Sequence, residues 1–111
     1  MAIYYYCSDE TIFEGPETMV IKAYVLLKVS SGAEKDVCRK VADLDNVIDA
    51  SIIYGEYDII AKVGTQEITQ LNDLLDKIRG IPSVILTSTM IVAQEYKGKN
   101  TREALNVQSR K

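Results

Sequence analysis

The chain has 111 residues, 47% of them hydrophobic and 26% charged, with a formal net charge of −3 and no histidine. This is the balance of one soluble domain with a modest core. It removes the commonest general base and metal ligand, and an acidic body argues against nucleic acid as the main partner.

The N-terminal stretch "MAIYYYCSDE" has neither the basic nor the apolar region of a leader peptide. Apolar runs such as Ala23–Leu27 are far too short to span a bilayer. The expected location is therefore cytoplasmic, with no membrane contact. Cys7 and Cys38 fit no zinc-ligand or CxxC spacing, so neither a metal nor another cofactor is expected, and Cys38 reads as a small core hydrophobe. Charge is uneven: residues 17–96 hold twelve acids against eight bases, whereas the tail gathers Lys97, Lys99, Arg102, Arg110 and Lys111 against Glu103. A short basic tail of this kind is most simply solvated.

Residues 1–18 form an N-terminal extension punctuated by Gly15-Pro16. Either its tyrosines pack on the sheet or a partner, or the segment is flexible or foreign to the domain. "VIKAYVLLKV" (20–29) alternates, with Ile21, Ala23, Val25, Leu27 and Val29 on a wholly apolar face and a mixed face opposite. That predicts a strand with one face in a core. "SSG" (30–32) is a turn from which Ser30 or Ser31 can cap a helix over 33–44, with Val37, Val41 and Leu44 as its apolar stripe.

"VIDASIIY" (47–54) and "YDIIAKV" (57–63) predict two strands joined by a turn at Gly55-Glu56. After Gly64-Thr65, with Thr65 as cap, Ile68, Leu71, Leu74, Leu75 and Ile78 predict a second helix, stopped by Gly80-Ile81-Pro82. "SVILTSTMIVAQEY" (83–96) predicts a long fourth strand, and residues 98–111 a basic tail with a marginal helix capped by Asn100 or Thr101. "NVIDASII" and "SVILTSTM" echo each other at a shift of 37 positions, so the chain reads as two βαβ halves.

The order βαββαβ predicts an α+β, ferredoxin-like sandwich: a four-stranded antiparallel sheet with two helices on one face. The other face, bearing Tyr24 and Leu26, must be wet or meet a partner. Pairing of two copies through that face, giving a homodimer, is the simplest closure.

Two stretches inside this frame carry candidate chemistry. In "YGEYD", Gly55, Glu56, Tyr57 and Asp58 are accounted for by a hairpin turn; alternatively, Asp58 accepts the ammonium of a small ligand while turn amides meet its carboxylate. Thr87, Ser88 and Thr89 are either ordinary strand residues or hydroxyl donors to a polar ligand. Catalysis is poorly supported, because no serine has a histidine to activate it and "SSGAEK" lacks the P-loop pattern. An RNA-recognition module of the same topology would need basic and aromatic residues on its third strand, which "YDIIAKV" does not supply.

"VIKAYVLLKV", "VIDASIIYGEYDIIAKV" and "IPSVILTSTMIVAQEYK", in that order, resemble the ligand-binding (RAM-type) domain of the Lrp/AsnC family of transcription regulators. The resemblance spans Met19–Lys97 and is sharpest at Gly55-x-Tyr57-Asp58, supported by the V-x-x-T-x-T-x-x-V of 84–92. It implies a sandwich dimer that assembles further into octamers or related rings, with small amino-acid effectors bound between dimers. Carried over by position, it implies ligand-binding roles for Gly55, Tyr57 and Asp58, the last as effector-sensing acid, and for Thr87, Thr89 and Ile91. Glu56 joins them as a neighbour in the same turn.

Family members also carry a helix-turn-helix, which 18 residues cannot hold, so direct sequence-specific DNA binding is not expected. The expected protein is a stand-alone effector-binding module that modulates transcription indirectly. The alternative is an interaction module that joins full-length Lrp/AsnC regulators and needs no ligand.

Overall fold

A computed structural model describes residues 21–100. The N-terminal extension, Cys7 and the tail beyond Asn100 lie outside the described residues. Along these, β1 (Ile21–Val29), α1 (Glu34–Ala42), β2 (Val47–Ile52), β3 (Ile59–Thr65), α2 (Ile68–Arg79) and β4 (Val84–Ile91) follow in the predicted βαββαβ order. The strands form one antiparallel sheet in the order β2-β3-β1-β4. This is the ferredoxin-like α+β sandwich.

The alternation in β1 explains why it sits inside the sheet. Ala23, Val25, Leu27 and Val29 are buried, and across the register Val63, Ala61 and Ile59 of β3 face the same way and are buried too. Val37 and Val41 of α1, with Leu71, Leu74, Leu75 and Ile78 of α2, close over that face. Burial of an aliphatic side chain of this size is worth about 1.5–3 kcal/mol, so this stripe-on-stripe packing is the principal source of stability. Cys38 packs at the margin of the core, as expected, and burial pushes its thiol pKa up.

Both helix starts differ from expectation. Neither Ser30 nor Ser31 caps α1; Ala33 occupies that position, and the Ser30 carbonyl accepts the Ala33 N–H instead, in a turn that needs Gly32 at φ 89°. Thr65 remains in β3, its hydroxyl donating to the Glu67 carbonyl. Glu67 starts α2, and the Gln70 side chain accepts the N–H groups of Gln66 and Glu67. A Glu-x-x-Gln pair does there what the threonine was expected to do.

Among the described residues, no helix of the sandwich packs on the opposite face of the sheet. Register places Tyr24 beside Lys62 and Met90, and Leu26 beside Ile60 and Ser88, on that face. Leu86 and Met90 are among the exposed large hydrophobics. No helix among the described residues is long and apolar enough to cross a membrane.

Candidate functional site

The link between β2 and β3 runs from residue 53 to 58, longer than the tight Gly55-Glu56 turn expected. Gly55 adopts φ 141°, a region that strains any residue with a Cβ. Asp58 then anchors the chain before β3 begins. Its N–H donates to the Leu27 carbonyl at 2.9 Å, its carbonyl accepts the Ile53 N–H at 2.9 Å, and its Oδ2 accepts the Val29 N–H at 3.0 Å. Lys28 Nζ reaches the Glu56 carbonyl at 2.9 Å. The loop is thus pinned to the end of β1 at two levels. Tyr57 and Asp58 are half-buried, whereas Tyr54, Gly55 and Glu56 are exposed.

The β4 residues are only partly drawn to this loop. Thr87, Thr89 and Ile91 pair with Leu27, Val25 and Ala23, so all three share the helix-bearing side of an edge strand. Thr87 lies two strands from Ile59, about 10 Å across the sheet, at the same end as the loop. Ile91 is roughly 13 Å further along the strand, at the opposite end, and is 56% exposed. Gly55, Glu56, Tyr57 and Asp58 are therefore gathered in one loop with Thr87 nearest among the strand residues.

A cleft of about 160 Å³ opens elsewhere, between the turn after α1 and α2, lined by Asp45, Asn46, Gln70, Asp73, Leu74 and Lys77. No expected site residue lines it. Among the described residues, no group of three or more His, Cys, Asp or Glu side chains could hold a metal ion.

One cluster was not expected from the sequence. β4 stops at Ile91 rather than continuing to residue 96, and the chain turns so that Glu95 meets Lys22 at 2.9 Å, Lys62 at 3.2 Å and Lys97 at 3.9 Å. Lys22 and Lys62 project from the helix-free face, so Glu95 straps the chain after β4 across one end of it. A signal for this was present: Glu95 is the sole carboxylate between Asp76 and Glu103, and the two central strands each carry a lysine, Lys22 and Lys62, on their mixed faces.

Burial pushes the Glu95 carboxyl up, but hydrogen bonding and attraction from Lys22 and Lys62 outweigh it and bring its pKa down from 4.5 to about 2. A depressed carboxylate pKa contributes stability above the unfolded value and loses it as pH falls through the folded value. Glu95→Gln is thus expected to be less stable than the parent near neutrality. The difference should shrink as pH falls from 4.5 towards 2. Urea midpoints of both proteins across that range check this, and a gap that persists at the acid end would assign the effect to packing.

The described residues form a βαββαβ sandwich with a hairpin loop pinned at one end of its sheet. The comparisons make it specific: residues 22–101 match the Lrp/AsnC ligand binding domain, and the chain belongs to that family. The HTH-type transcriptional regulator FL11 of Pyrococcus horikoshii is 35% identical over 75 residues, covering 68% of this chain and 50% of the relative. The chain thus spans about half the length of the curated relatives it matches.

Among solved structures, the hypothetical protein PHS023 of Pyrococcus horikoshii is 36% identical with a TM-score of 0.63, covering 69% of this chain and 94% of that one. AsnC of E. coli is 25% identical with a TM-score of 0.70, covering 84% of this chain and 65% of that one.

Proposed function

We propose that this chain is an amino-acid effector-binding regulatory module, and not an enzyme, which senses a small amino acid where two of its dimers meet and modulates transcription through assembly. The observation that carries this reading is the loop 53–58, fixed to the end of β1 with Thr87 at the same end of the sheet. Gly55, Glu56 and Ile91 are exposed and Tyr57, Asp58, Thr87 and Thr89 half-buried, so a second copy laid against them would enclose a ligand. Membership of a family whose domain is a ligand-binding one supports the same reading. The dimer itself forms through the helix-free sheet face, and the protein works in the cytoplasm without a cofactor.

Binding to the assembled form alone would stabilise it by mass action, about 2.7 kcal/mol at a hundred times the Kd. Each kcal/mol raises the Tm of a domain this size by about 4–8 °C. A thermal-shift screen against the twenty amino acids, with light scattering in parallel, is therefore expected to find one or a few that raise the Tm and change the assembly. If none does and the dimer persists, the effector reading falls. The chain is then an interaction module whose partners are full-length Lrp/AsnC regulators, and mixing experiments with those become the test.

A further inference from the structure

Asp58 is bound differently from an acid held ready for a ligand. Its backbone N–H and one carboxylate oxygen both engage the end of β1, at Leu27 and Val29, while its carbonyl holds Ile53 at the end of β2. Val29 is only 6% exposed, and the register of β1 against β4 slips between Lys28 and Val29. The Val29 N–H therefore sits at an irregular strand end with little access to water, where a buried amide without an acceptor is costly. The Asp58 carboxylate supplies that acceptor, in the place of a ladder carbonyl, because β3 starts only at Ile59. Lys28 adds a second tie, from the next residue of β1 to the Glu56 carbonyl.

Resting on the effector reading above, we infer that Asp58 is a positioning residue of the site. Its carboxylate sets the loop through the Val29 amide so that Gly55, Glu56 and Tyr57 are presented, and its negative charge is not what the effector reads. The inference separates two properties that the sequence leaves joined in one side chain, acceptor geometry and charge. Asparagine keeps a carbonyl oxygen in the same place and drops the charge, whereas alanine removes both.

The experiment compares Asp58→Asn and Asp58→Ala in the full chain by amide hydrogen exchange without ligand and by amino-acid-dependent thermal shift. In Asp58→Ala, exchange at Val29 is expected to rise by about tenfold or more, while the amides of Ala23 and Val63, further along the sheet, stay protected and report an intact fold. Asp58→Asn is expected to stay near the parent at Val29 and to keep its amino-acid response, which Asp58→Ala weakens by about tenfold or more.

Loss of the response in Asp58→Asn with Val29 still protected would overturn the inference, because the charge would then be the part that contacts the effector. Unchanged Val29 exchange in Asp58→Ala would overturn it as well. If no amino acid shifts the parent protein, the effector reading fails separately, and the role of Asp58 in holding the loop stands or falls on the Val29 amide.

Discussion

Ile59→Ala is expected to cost about 2–5 kcal/mol of folding stability, the range for truncating a large aliphatic side chain in a packed core. Ile59 is fully buried, opposes the equally buried Leu27 across the two central strands, and faces the helices. Neighbours on three elements would have to move inward to refill the space, and close-packed interiors relax only partly. Ile59 also follows Asp58 directly, so the cavity would open at the foot of the loop and loosen its attachment to β1. Ile85→Ala is the matched control: Ile85 is 65% exposed, and its loss should change stability by no more than about 0.5 kcal/mol. Urea titrations with unchanged slope would show the difference as a shift in midpoint. A loss below about 1 kcal/mol for Ile59→Ala would mean that the core does not depend on the Leu27–Ile59 layer.

How far the sequence shows this fold depends on which interaction decides each element. β1 is legible because every second residue from Ile21 to Val29 is apolar, and only a strand with one buried face uses that period. α2 is legible for the same reason at the helical period, with Leu71, Leu74, Leu75 and Ile78 on one stripe. The ends of β2, β3 and β4 are not. Ile53 and Tyr54 have strand-forming side chains, yet the ladder stops at Ile52 because Gly55 and Asp58 commit the chain to a loop. Residues 92–96 continue the apolar pattern of β4, but Glu95 is drawn away by two lysines that are remote in sequence. Strand ends are set by long-range partners, which local pattern does not encode.

The candidate site divides along the same line. The turn chemistry of Gly55 to Asp58 can be seen in the sequence, because a glycine and an acid have few uses between two strands. The use of Asp58 as an acceptor for Val29 cannot, since residues 29 and 58 meet only after β1 and β3 have paired. The spread of Thr87, Thr89 and Ile91 along one edge is likewise a matter of register. Whether a second copy gathers them with the loop is a property of assembly, and no single-chain pattern carries it.

Leu26→Asp is expected to leave a folded monomer. On the helix-free face Lys22 and Lys62 are engaged by Glu95 and Lys28 by the Glu56 carbonyl, and Asp49 of the edge strand β2 stands beside Lys62. Between them, Tyr24, Leu26 and Ile60 are half-buried, with Leu86 and Met90 more exposed beside them. This arrangement suits the proposed sheet-to-sheet pairing, with an apolar centre to exclude water and polar ties kept at the rim. In a twofold pairing each substitution is introduced twice, once from either copy. Two carboxylates without partners in such an interface should cost several kcal/mol, raising the dimer Kd by about a hundredfold or more. The same carboxylate in the monomer faces water on a surface the helices do not touch, so circular dichroism should be unchanged. Sedimentation across a concentration series checks both halves of the expectation. A variant dimer as tight as the parent would move the interface off this face, and a parent protein that stays monomeric at every concentration would remove the homodimer, and with it the dimer-to-dimer site.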